Sequence, residues 1–279
     1  MSRFKELFRN FRNVFAASVI PVALVVSILI FLKIMGNPSN FQGNDPANAP
    51  IPGNYLGIIY KGGLIVPILM TLLMTVITFS IERYITIRRA SGKGNVLNFV
   101  KNIKHLVTQG QISNAIHLCD KQGGSVANVI KSALMKFLTV DKDEHMTKEQ
   151  KTVAIQKEIE EATSLELPSM EQNLVIIATI SSIATLMGLL GTVLGMIRAF
   201  AALAHAGAPD SVALATGISE ALVNTAFGIA TAALAVISYN YYTTKIDKLM
   251  YTIDEAGFSI IQTYAQNPLQ PNTGSNAQS

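Results

Sequence analysis

The amino-acid sequence predicts an all-α membrane protein that crosses the bilayer four times. Charge-free runs fill Asn13–Leu32, Gly62–Ile81, Gln172–Ile197 and Ala221–Thr244, and a helix needs about 20 apolar residues to cross the hydrocarbon core. Only 14 % of the 279 residues are charged and 49 % are apolar, with a mean hydropathy of +0.36. Soluble domains carry about a quarter charged residues, so a soluble enzyme is excluded. A membrane β-barrel would show alternating strands of about 10 residues, and the runs here do not alternate. The single cysteine, Cys119, leaves no internal disulfide and no cysteine metal cage.

The basic residues order these spans. Arg3, Lys5, Arg9 and Arg12 precede the first run, and 13 of the 22 Lys and Arg lie between Arg83 and Lys157. Lys245 and Lys248 follow the last run, while Gly36–Tyr60 and Ala199–Ser219 contain none. The positive-inside rule then predicts both termini and the middle segment in the cytoplasm. The remaining cations, Lys33, Lys61 and Arg198, fall at outer helix ends, where long side chains reach water. The predicted organisation is a basic segment 1–12, spans at 13–35, 61–82, 172–204 and 212–242, an outer loop 36–60 and an outer turn 205–211. A helical cytoplasmic segment 83–171 and a C-terminal helix with a disordered tail, 243–279, complete it.

Each element has its own signal. Phe4, Leu7, Phe8 and Phe11 make the stretch before the first run amphipathic, unlike the leader of a cleaved signal peptide. The loop after it holds Pro38, Pro46, Pro50 and Pro52 among Asn and Gly, the composition of an irregular, water-facing connection. The first span has little polar character and is expected at the periphery, against lipid. In the cytoplasmic segment, Val96, Phe99, Val100, Ile103 and Val107 follow helical spacing. A second helix runs from Gln111 to about Lys121 and stops at Gly123-Gly124; a third carries Val126 to Phe137. A charged helix from Thr147 leads toward the third span, with a kink expected at Pro168. The segment is read as too small for an autonomous catalytic domain with a sizeable core, so its predicted role is packing between neighbouring subunits.

The third and fourth spans carry the chemistry. At about 100° per residue, Ala178, Ser181, Thr185, Gly188, Thr192, Gly195 and Ala199 share one face of the third span, with bulky residues opposite. Such a stripe allows close helix packing in lipid or lines a central partner or ion path. In the fourth span Ala221, Thr225, Gly228 and Ala232 form another small face, while Glu220, Asn224 and Thr231 are polar on a second side. The connecting turn centres between Ala208 and Pro209, and Thr192 and Thr225 are equally distant from that point. Arg198 and Glu220 are matched almost as closely, nearer the outside. Glu220 is the one carboxylate within the spans, and intramembrane acids are usually functional. It is read either as a packing partner, with Arg198 and Asn224 as neighbours in the polar layer, or as a participant in ion movement. Threonine hydroxyls donate, accept and order water but do not titrate. His117 and Cys119 lack further ligands, so no metal and no cofactor are expected. His205 sits at the outer mouth. There is no nucleophile–base motif, and no enzyme activity or nucleic-acid partner is expected.

GLLGTVLG (Gly188–Gly195) and GISEALVNTAFG (Gly217–Gly228) closely resemble the paired signatures of the MotA/TolQ/ExbB proton-channel family, most strongly its ExbB and TolQ branches. The resemblance places the family's transmembrane threonines, its proton path, on Thr192 and Thr225, and its intramembrane glutamate on Glu220. It implies a pentameric ring in the bacterial inner membrane around a dimeric, single-span ExbD- or TolR-like partner. In the ExbB branch it further implies proton-motive force converted into work on a TonB-like transducer. A TolQ-type envelope or motility stator and a purely structural scaffold are the alternatives. The partner helix, bearing an aspartate, is expected on the face of Ala178, Ser181, Thr185, Gly188, Thr192 and Gly195. The first span departs from the three-span pattern of ExbB and TolQ.

Overall fold

A computed structural model describes residues 18–204 and 211–266. The expected basic segment 1–12, His205, the turn at Ala208–Pro209 and the polar tail lie outside these residues. Among the described residues the chain is helical without a strand. Four helices are long and apolar enough to cross a membrane, which makes this a multi-pass membrane protein. The helices are α1 (Ser18–Met35), α2 (Tyr55–Tyr60), α3 (Ile65–Ala90), α4 (Val96–Thr108), α5 (Ile112–Gln122), α6 (Gly124–Asp141), α7 (Lys148–Glu171), α8 (Leu174–Leu203) and α9 (Ser211–Gln266). Two compact units result, Met1–Glu82 with Asn173–Tyr241 and Arg83–Gln172 with Tyr242–Ser279, each over its described residues.

In the first unit, α1 buries a single stripe. Val19, Ala23, Ser27, Phe31 and Met35 recur every fourth residue and are buried, while Val22, Val25, Leu29 and Leu32 are exposed. One packed stripe and an otherwise apolar exposed surface suit a peripheral helix in lipid. The end of α1 widens into a π-helix at Ile30–Met35. There Phe31, Met35, Val66 and Met70 form a core, with Val223 and Phe227 of α9 packed against it. The threonines buried in α3 satisfy themselves: Thr71 and Thr75 each donate to the carbonyl four residues back, at 2.7 Å.

The outer loop is irregular and mostly exposed, as its composition predicts, but it is anchored at two buried residues, Asn40 and Phe41. Phe41 is 1 % exposed. Asn40 Nδ2 donates to the carbonyls of Ile34 and Met35 at 2.8 and 2.9 Å, satisfying the open end of α1. Asn54 Nδ2 donates to Asn40 Oδ1 at 2.9 Å. Tyr60 stacks on Phe31 at 4.7 Å and meets Phe41 edge-on at 5.4 Å. Asn37, Asn40 and Asn54 thus satisfy helix ends, while the rest of the loop stays exposed.

In the second unit α6 is central. Val126, Ala127, Val129, Ile130, Ala133, Leu134, Phe137 and Val140 are all buried. The unit builds a core to which 83–171 contributes only part. The missing mass comes from the far end of α9, where Ile246, Ile253, Ala256, Ile260 and Tyr264 are buried. Phe137 meets Tyr264 edge-on at 4.6 Å. A capping box joins Thr147 and Gln150 at the start of α7. Its last turn receives Arg83, fully buried, whose Nη1 donates to Met170 O at 2.9 Å, a cation at the negative end of a helix.

The break before the third span falls at Asn173, not at Pro168. α7 runs through Pro168 to Glu171, and Asn173 adopts φ 68, a left-handed conformation. Proline costs a helix one donor, which a solvent-facing turn absorbs, whereas a left-handed residue ends the helix outright.

Candidate functional site

The site is the contact of α8 with the first part of α9. Their small residues are in antiparallel register. A Cβ on Gly195 would lie 2.7 Å from Ala221 N and Gly217 O, and one on Gly228 would lie 2.7 Å from Ala184 O. Side chains cannot fit there, so the two backbones touch. Gly188 packs on Thr225 and Gly228, and Gly191 on the Asn224 side chain. The buried stripe of α8 is Ala184, Gly188, Gly191, Gly195 and Ala199. This corrects the assignment of Gly188 and Gly195 to a partner helix: α9 of the same chain covers both. Of that predicted face, Ala178 and Ser181 are half-buried and Thr185 is exposed.

Close approach brings the two threonines together. Thr192 Oγ1 and Thr225 Oγ1 are hydrogen-bonded, and each also lies near Gly188 O, at 3.3 and 3.5 Å. Further along the pair, Arg198 Nη1 donates to Glu220 Oε1 at 2.6 Å and Oε2 at 2.7 Å. The pair is lopsided in burial. The Glu220 side chain is 6 % exposed and that of Arg198 55 %. Both contacts match the depths that counting from the turn predicts.

The turn leading into α3 completes the site, and sequence reasoning missed it. Gly63 has φ +74, and a Cβ there would sit 2.5 Å from Glu220 Oε1. Gly62 O accepts from Asn224 Nδ2 at 2.8 Å. Asn224 is fully buried, and its Oδ1, like Thr231 Oγ1, has no hydrogen-bond partner among the described residues. The signal was the Gly62-Gly63 pair directly after Lys61, at the outer end of a span. Lys61 itself donates to Pro46 O and Ala47 O at 2.9 and 3.0 Å. Burial draws its pKa below the usual lysine value, and Asp45 partly opposes this. Gly191, the other omission, was legible in the Gly188, Gly191, Gly195 spacing.

Elsewhere the predicted bystanders stay apart. Cys119 is buried, and burial followed by the charge of Asp120 pushes its thiol up to about 12, so it stays protonated and inert. His105 lies beside Gln109 at 3.3 Å. Among the described residues no three His, Cys, Asp or Glu side chains converge as a metal site would require.

The described spans define a multi-pass helical membrane protein with a hydroxyl pair and an ion pair held between two close-packed helices. Residues 125–255 match the model of the MotA/TolQ/ExbB proton channel family. The Tol-Pal system protein TolQ of Haemophilus influenzae is 26 % identical over 206 residues, covering 70 % of this chain and 87 % of that protein. The TolQ of Pseudomonas aeruginosa is 37 % identical over 89 residues, 32 % of this chain and 38 % of that one. The biopolymer transport protein ExbB of Salmonella typhimurium is 31 % identical over 102 residues, 37 % of this chain and 41 % of its own length.

Proposed function

We propose that this chain is an ExbB-like subunit of the bacterial inner membrane. With a dimeric, single-span ExbD- or TolR-like partner it would convert proton-motive force into mechanical work for TonB-dependent outer-membrane transport. The observation that carries this reading is the Thr192–Thr225 contact, a hydroxyl pair inside an otherwise apolar pair of spans. Hydroxyls in that setting order water and pass hydrogen bonds without holding charge. In this reading Thr192 and Thr225 line the proton path, and Glu220, Arg198 and Asn224 hold the helices and the Gly62–Gly63 turn in register. A partner helix bearing an aspartate would lie along Ala178, Ser181 and Thr185. The ring would be a pentamer, with both termini in the cytoplasm on the count of basic residues. Purification from native membranes, with identification of every retained chain, tests it. A single-span protein with an intramembrane Asp and a TonB-like protein should be retained. A homo-oligomer free of any single-span partner would refute the reading.

A TolQ-type envelope role is the second reading. One TolQ relative aligns over 70 % of this chain, against 37 and 57 % for two ExbB relatives, which supports it. Retention of Tol-Pal components in place of a TonB-like protein would decide for it.

A further inference from the structure

A cavity of about 500 Å³ lies where α3 ends, among Tyr84, Ile85, Arg88, Arg89, Lys93 and the Gln122–Gly124 turn. Its wall holds three cations and no carboxylate. None of the three is paired with an acid among the described residues, and like charges gathered in one hollow repel unless an anion neutralises them. The floor is rigid. Lys93 N donates to Gln122 O at 2.8 Å and Gln122 Nε2 to Ser91 O at 3.1 Å. Gly92 (φ +77) and Gly124 (φ +85) cross so closely that a Cβ on Gly92 would lie 2.1 Å from Gly123 O. α6 starts at this floor, with Gly124 packed against the carbonyls of Arg89 and Ala90 at the end of α3.

Depth along α3 selects the anion. From Ile65, about 20 residues or ~30 Å cross the hydrocarbon core, which brings the helix to Tyr84. Tyr84 and Ile85 are exposed there, as interfacial residues are. Arg88 and Arg89 lie one turn further, at the level of the head groups. An apolar wall at the core boundary and a basic wall above it fit the two ends of one phospholipid.

We propose that this cavity binds the phosphate head group of an anionic phospholipid from the adjacent leaflet. The inference rests on the membrane spans and not on the motor reading. Detergent-solubilised full-length protein would be titrated with phosphatidylglycerol or phosphatidylcholine, with bound lipid counted by native mass spectrometry. Phosphatidylglycerol should bind at least tenfold more tightly. Arg88→Gln, Arg89→Gln and Lys93→Gln should each weaken it about fivefold, and the triple variant should abolish the preference. Where the triple variant fails to assemble, the single variants carry the test. Lys101→Gln/Lys104→Gln/Lys121→Gln removes equal charge from exposed positions outside the cavity and should leave the preference unchanged. Equal binding of the two lipids, or an equal loss in that control, would overturn the proposal. So would displacement of the lipid by millimolar inorganic phosphate, which would assign the cavity to a soluble phosphate.

Discussion

Thr192 and Thr225 differ from valine by one hydroxyl each, and the structure shows what those hydroxyls do: they bond to each other and lie near Gly188 O. Thr192→Val or Thr225→Val should therefore cost about 0.5–1.5 kcal/mol of stability and leave assembly intact. Partner-dependent proton uptake should vanish in both, and normal uptake would remove these residues from the path. Glu220 and Arg198 form an unequal pair. Replacing Glu220 by Leu leaves a guanidinium that is already half in solvent, whereas Arg198→Ala leaves a buried carboxylate without its cation. Arg198→Ala should be the more damaging, by about 1–3 kcal/mol, and Glu220→Gln the mildest change at this site. Thermal unfolding of the three variants in detergent checks the order, and a less stable Glu220→Leu would reverse the argument.

At the scale of the helix, the α8–α9 pair depends on what its residues lack. The backbones touch at Gly195–Gly217 and at Gly188–Gly228, so each hydroxyl and carboxylate is brought to its partner by the absence of side chains elsewhere. Gly195→Leu forces the helices apart and should cost about 1–3 kcal/mol by overpacking. Because Thr192 lies within one turn of Gly195, the same change should also abolish proton uptake while every polar residue is retained. A fully active Gly195→Leu protein would show that the spacing is not critical.

For the whole molecule, the spans carry Glu82, at the end of the second span, and Glu220, which is engaged by Arg198. No Asp, His or Lys stands at the level of the threonine pair. A proton carrier needs a group that changes protonation within the membrane, so under the proposed function the titrating acid would be supplied by a partner chain. Liposomes holding this protein alone should show no more than a slow proton leak under a gradient. Fast, saturable flux lost on Glu220→Gln would place the carrier in this chain instead.

The four spans, the helical order of the middle segment and the depth pairing of Thr192 with Thr225 and Arg198 with Glu220 were all legible in the sequence. Each follows from quantities local to a helix: apolar length, the angle and rise per residue, and the count of residues from a turn. Three features were decided only by tertiary structure. The small face of α8 is divided, with Gly188 and Gly195 against α9 and Thr185 exposed, because periodicity names a face but not the neighbour that takes it. The turn at Gly62–Gly63 joins the site through Asn224 and Glu220, residues far along the chain whose meeting no local pattern encodes. The outer loop is anchored to α1 because Asn40 finds two open carbonyls at its end, and an asparagine's partner is settled by the backbone groups left unbonded nearby, not by its own polarity.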